Sequence, residues 1–193
     1  MSTENQDVDL VGDRTVENVV RASLLAALTG AFAYVVFPHP LSPTEVTLQV
    51  LGVYLAGIML GPLWGGVAMV VYLAAGALGA PVFLGGSSGI GALLGPTGGY
   101  LLSYPLAAAV VGAVVHGGPT LRDPAEAGLV RLVGGMALGT LVVYALGAAG
   151  LLVFGGSDIE TAVVGGALVF LPAEALKAAA AVGIVRSDAI AAR

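Results

Sequence analysis

Residues 47–80 read TLQVLGVYLAGIMLGPLWGGVAMVVYLAAGALGA, with no charged side chain anywhere in the run. A helix that crosses a bilayer needs roughly 20 mostly apolar residues. The run is too long for one crossing and too short for two joined by a long loop. Gly61-Pro62 stands inside it. Proline is tolerated in the first turn of a helix but not in its interior, where it lacks an N–H and clashes with the preceding turn. The reading is therefore a short helix over 47–60, a tight turn, and a second helix over 62–78.

The rest of the chain agrees that water is not its only solvent. Of 193 residues, 58% are hydrophobic and only 10% charged, with a mean hydropathy of +0.98. A soluble domain is about 45–50% apolar and about 25% charged. The 30 glycines fit membrane helices, where small residues let backbones approach. Further apolar runs at 19–37, 98–115, Leu129–Val153 and Thr161–Val185 bring the expected spans to six. The fold class read from sequence is an all-α membrane protein of six transmembrane helices. Residues 18–186 form its membrane domain, and a short tail follows at 187–193.

Orientation follows from the arginines. Six spans put the N-terminus, the loop after the fourth helix and the C-terminus on one side. That side then holds Arg14, Arg21, Arg122, Arg131, Arg186 and Arg193, and the opposite loops hold no arginine. Positive-inside bias makes it cytoplasmic, both termini included. Residues 1–17 carry Glu4, Asp7, Asp9, Asp13 and Glu17 against Arg14. They read as an acidic disordered cytosolic tail, not a signal peptide, and their charge argues against nucleic acid.

Chemistry concentrates in the last span. Lys177, the only lysine, follows Glu174 by three residues within an apolar run, so both lie on one helix face. Burying either charge costs about 2.5–3.5 kcal/mol on insertion scales, and such residues usually line a site. A structural ion pair that fixes helix packing is the competing reading. Gln49, Tyr72, Tyr100, Ser103, Thr140 and Tyr144 are polar in apolar surroundings and individually read as hydrogen bonds between helices. The glycine-rich segment 79–95 reads equally as a binding loop or as a flexible connector. Ala22, Ala26 and Gly30 recur every four residues along the first helix, a stripe for close packing either within the protein or against a partner. The chain has no cysteine, and His39 and His116 lie far apart, so no metal-ligand spacing arises. No P-loop, HExxH or nucleophile elbow occurs. Any ATP-driven process needs other subunits.

Several motifs then stand together. Val46-Thr47-Leu48-Gln49, Leu60-Gly61-Pro62, Ala80-Pro81-Val82-Phe83, GPTGGYL at 95–101, and Leu171-Pro172-Ala173-Glu174 with Lys177 occur in order over nearly the whole chain beyond residue 17. The chain resembles the biotin-specific S-component (BioY) family of energy-coupling-factor (ECF) transporters. That family usually has Pro where Glu45 stands, and Asp where Glu174 stands. The resemblance implies a lipid-embedded subunit that captures biotin from outside and works with a transmembrane coupling subunit and two ATPases. It implies no cofactor and no catalysis, biotin being cargo. It assigns Ala22, Ala26 and Gly30 to partner docking. It places Glu174 and Lys177 against the ureido head of biotin, with Phe83, Tyr72 and Tyr100 as walls and Gln49, Ser87 and Ser88 as further polar contacts. Biotin's carboxylate is then taken either by backbone N–H groups around Gly98 or by Lys177. The alternatives are an S component for another small vitamin, or a stand-alone secondary transporter with Glu174 as its proton-coupled group.

Overall fold

The computed structural model describes residues 12–187 apart from 40, 41 and 43. Helix α1 spans Asp13–Phe32, α2 Gln49–Ala77, α3 Ile90–Leu93, α4 Gly98–His116, α5 Leu129–Val153 and α6 Leu171–Val185. Among the described residues, four segments are long and apolar enough to cross a membrane: Gln49–Ala77, Gly98–His116, Leu129–Val153 and Thr161–Val185. Helix α1 adds a fifth of 20 residues, with its charges confined to the first half, where Arg21 pairs with Glu17.

The sixth comes from α2, which is not one rod. Gly61 has φ 74° and ψ −175°, a conformation that only glycine adopts without strain. In a straight helix, residues 49 and 72 would lie about 35 Å apart at 1.5 Å per residue. Here the Gln49 amide donates to the Tyr72 hydroxyl at 2.6 Å. Residues 49–60 and 62–77 are therefore an antiparallel hairpin turned at Gly61-Pro62, as the apolar run predicted. Pro62 has no N–H for the carbonyl four residues back. His116 Nε2 takes that place on Ile58 O at 2.9 Å, while its Nδ1 accepts the Arg122 N–H at 3.1 Å. The two bonds set the tautomer. His116→Leu strands both backbone groups, and a loss of about 1–3 kcal/mol follows. A lower midpoint of thermal unfolding in detergent measures it; an unchanged midpoint would remove His116 from the support of the turn.

Glycines set how closely the helices pack. A Cβ at Gly57 would sit 2.8 Å from Val111 Cβ, one at Gly99 3.0 Å from the Gly150 Cα, and one at Gly139 3.4 Å from the Ala107 carbonyl. Helix α4 thus lies against the hairpin on one side and α5 on the other.

Three features depart from the sequence reading. The last span is broken: a π-helical turn at Thr161–Gly165 and a 3-10 turn at Leu168–Phe170 precede α6, with Ala167 between them at φ −137°, ψ −61°. A two-residue antiparallel ladder, Val36↔Thr47 and Phe37↔Val46, joins the end of α1 to the start of α2. Ala22, Ala26 and Gly30, for which the sequence left internal packing and partner docking open, are all buried in the chain by itself. The stripe serves internal packing: Ala22 and Ala26 belong to the core, and a Cβ on Gly30 would meet Val82 at 3.0 Å. Residues 13–17 of the tail read as disordered are helical; residues 1–11 and 188–193 lie outside the described residues.

Candidate functional site

The break before α6 is what makes the site. Because the helix starts anew at Leu171, with Pro172 in its first turn, Glu174 lies at a helix N-terminus, where the peptide dipoles favour negative charge. Its carboxylate accepts three hydrogen bonds. Oε1 takes Lys177 Nζ at 2.5 Å and the Tyr144 hydroxyl at 2.9 Å. Oε2 takes the Tyr54 hydroxyl at 2.9 Å, and Tyr54 is in turn paired with the Thr140 hydroxyl at 2.5 Å. Glu174 and Lys177 are each only 5% exposed. A buried pair of this kind survives only when its remaining positions are satisfied or addressed to a ligand.

The accounting shows what is left over. A carboxylate has about four acceptor positions and an ammonium three donors. Among the described residues, Glu174 therefore keeps one acceptor position open on Oε2. Lys177 has one partner among the described residues and keeps two donors. Both side chains line one cavity, together with Gln49, Tyr100, Tyr144 and Phe170.

Aromatic rings wall this cavity. Phe170 stacks on Tyr144 with centroids 6.1 Å apart, and Tyr100 meets Tyr144 edge-on at 6.3 Å. The Tyr100 hydroxyl donates to the carbonyl of Gly166 at 2.6 Å, so the same ring ties α4 to the broken segment. Opposite them, the glycine-rich segment is wedged in place by Phe83, which is fully buried. Gly76 gives Phe83 its room, since a Cβ there would run into the ring. The segment is also tethered, with Gly85 N–H on Ala33 O at 3.1 Å and Gly89 N–H on Gly76 O at 2.7 Å. It is a positioned wall rather than a loose connector.

Of the residues singled out from sequence, Gln49, Phe83, Ser87, Tyr100, Glu174 and Lys177 line the cavity. Tyr72 stands one layer behind: its hydroxyl accepts from Gln49 Nε2 and donates to Val82 O at 2.9 Å. Ser88 is exposed and does not line the cavity. Gly98 is buried against Leu93, and its N–H is already bonded to Gly95 O at 2.9 Å. At the start of α4 it is Thr97, Tyr100 and Leu101 that reach the cavity. Sequence reasoning passed over Tyr54 and Phe170, and read Tyr144 and Thr140 only as packing. Tyr54 carried the same signal as the others, a hydroxyl in an uncharged apolar run.

Hydrophobic helices packed through glycine around a cavity walled by aromatic rings, with a buried ion pair facing it, define a multi-pass membrane protein built to hold a small solute. The chain belongs to the BioY family, whose family model matches residues 3–192. It is similar to the probable biotin transporter BioY of Pyrococcus horikoshii, 37% identical over 166 residues, which are 86% of this chain and 92% of that one. It is likewise similar to the biotin transporter BioY of Rhizobium etli, at 31% identity over 176 residues, 86% of this chain and 90% of the other. Among solved structures, the S-component for biotin from an ECF-type ABC transporter matches with a TM-score of 0.79 at 25% identity, covering 91% of this chain and 92% of that one. The family is one of transporters; the chain is not an enzyme.

Proposed function

We propose that this chain is the membrane-embedded biotin-binding subunit of an ECF-type uptake transporter, capturing biotin from outside and passing it on through an ATP-driven partner complex. The observation that carries the reading is the Glu174–Lys177 pair, with one acceptor position and two donors left over at the cavity. A ureido ring offers N–H donors and one carbonyl acceptor, the complement of that set. Bonds to charged partners are stronger than neutral ones, and the aromatic walls suit an apolar bicycle.

The cytoplasmic placement of both termini belongs to the same proposal. Arg131 Nη1 and Arg122 Nη1 lie 3.3 and 3.7 Å from the Cβ position of Gly117, and Arg186 Nη2 lies 3.4 Å from Ala127 O. This basic end is where α4 finishes; the cavity is where α4 begins. A cytoplasmic basic end leaves the cavity facing outward. For the coupling subunit, α1 still offers an exposed small-residue face: Ser23, Ala27 and Ala31 repeat the four-residue spacing one position on from the buried stripe.

Equilibrium binding of labelled biotin to the detergent-purified chain, in competition with a panel of vitamins, tests the ligand. Saturable binding displaced by biotin and by no other vitamin is the expected result. Displacement by a different vitamin would reassign the cargo. Uptake into cells with and without the ECF coupling subunit and ATPases tests the assembly. ATP-driven accumulation only in their presence is expected, and equal accumulation in their absence would make the chain a stand-alone transporter.

A further inference from the structure

Among the described residues, three charged ones line the cavity: Glu174 and Lys177, paired in the buried part, and Glu45, exposed on the rim. Two carboxylates against one ammonium give these lining residues a formal net charge of −1. His39 packs edge-on against Phe170 at 5.8 Å and is not among the lining residues. An anionic ligand thus enters a site that already carries excess negative charge.

The Gly98 N–H is already bonded to Gly95 O at 2.9 Å, which leaves a ligand carboxylate two places to go. Beside Lys177 it would share one ammonium with Glu174, crowding two anions in surroundings of low dielectric, where like charges repel most. At the mouth it stays hydrated, and water and salt screen what it meets there. The mouth is the cheaper place, and there it meets Glu45. This residue follows Thr44 and precedes the Val46–Thr47 strand, whose pairing with Val36–Phe37 holds the rim segment over the cavity.

We propose that Glu45 makes this site select by the charge of the ligand's tail, disfavouring a free carboxylate and favouring biotin derivatives whose tail ends in a neutral or cationic amide, such as biotinylated amines and biotinyl peptides. The proposal rests on the biotin reading above and deepens it. Esterifying the acid removes a repulsion; replacing it with an amide that carries an ammonium turns the repulsion into an attraction. The ring contacts at Glu174 and Lys177 are the same in all three ligands.

The experiment is competition against labelled biotin with three probes of one ring and three tail charges: biotin, biotin methyl ester, and the amide of biotin with ethylenediamine. The wild type binds the cationic amide most tightly and the free acid most weakly, each step about two- to fivefold at low salt, as for exposed charge pairs. The spread shrinks at high ionic strength. In Glu45→Gln the three affinities converge, with the ester unchanged, and in Glu45→Lys the order inverts. The same order and spread in Glu45→Gln, or a wild type that binds the free acid most tightly, overturns the role of Glu45 and leaves the biotin reading standing. Absence of labelled-biotin binding by folded wild type overturns both.

Discussion

Lys177→Met is expected to abolish biotin binding at practical concentrations, weakening it about 100-fold or more. Truncating one member of a buried, hydrogen-bonded charge pair typically costs about 2–5 kcal/mol. Two losses add here. The ligand loses a cationic donor, and Glu174 is left at 5% exposure with, among the described residues, the two tyrosine hydroxyls as partners. The lone carboxylate also destabilises the protein, so binding alone would not separate a ligand contact from a packing role. The double variant Glu174→Gln/Lys177→Met removes both charges together, and replacing a buried pair with neutral groups is often nearly neutral for stability. Its expected signature is a thermal midpoint near that of the wild type with no recovery of binding. If the double variant binds biotin normally, the pair is only a fastener between helices.

Gly112→Val is expected to have the largest effect on the fold. Its Cβ would lie 2.5 Å from both the Gly61 carbonyl carbon and Pro62 N, against the turn that reverses the α2 hairpin. These are backbone atoms and cannot swing aside, so α4 must separate from the hairpin. Overpacking typically costs about 1–3 kcal/mol, and more where the neighbours cannot yield. Poor recovery of folded protein, or a large drop in the thermal midpoint, measures the loss. Gly134→Ala is the control, because its Cβ would meet nothing within 4 Å. Equal midpoints for the two variants would contradict close helix contact at Gly112.

The hairpin was legible because proline and glycine act locally: Pro62 cannot stand in mid-helix, and Gly61 can take φ 74°. The buried pair was legible too, since two charges three apart in an apolar run leave few options. The break in the last span was not. Residues 161–170 are apolar throughout except for Thr161, and the signal for a break, Gly165-Gly166 followed by Pro172, is no stronger than glycines that α5 tolerates at 134–135. Tertiary contact decides it, through Tyr100 on the Gly166 carbonyl.

The direction a residue faces was the other gap. Ala22, Ala26 and Gly30 stand on one face of α1 and Ser23, Ala27 and Ala31 on the next, and both are small. Spacing names a stripe but not what covers it. The fit of α1 onto α2, where Thr29 fills the space above Gly52, turns the first stripe inward. Tyr54 was missed for the same reason. Its hydroxyl reaches Glu174 across 120 residues of sequence, and no local pattern carries that distance.

The most direct measurement is a structure of this chain with biotin bound. The expected result is the ureido ring at hydrogen-bond distance from both Glu174 and Lys177, with the valerate carboxylate at the mouth near Glu45. A carboxylate bound to Lys177, with the ring at the mouth, would contradict it.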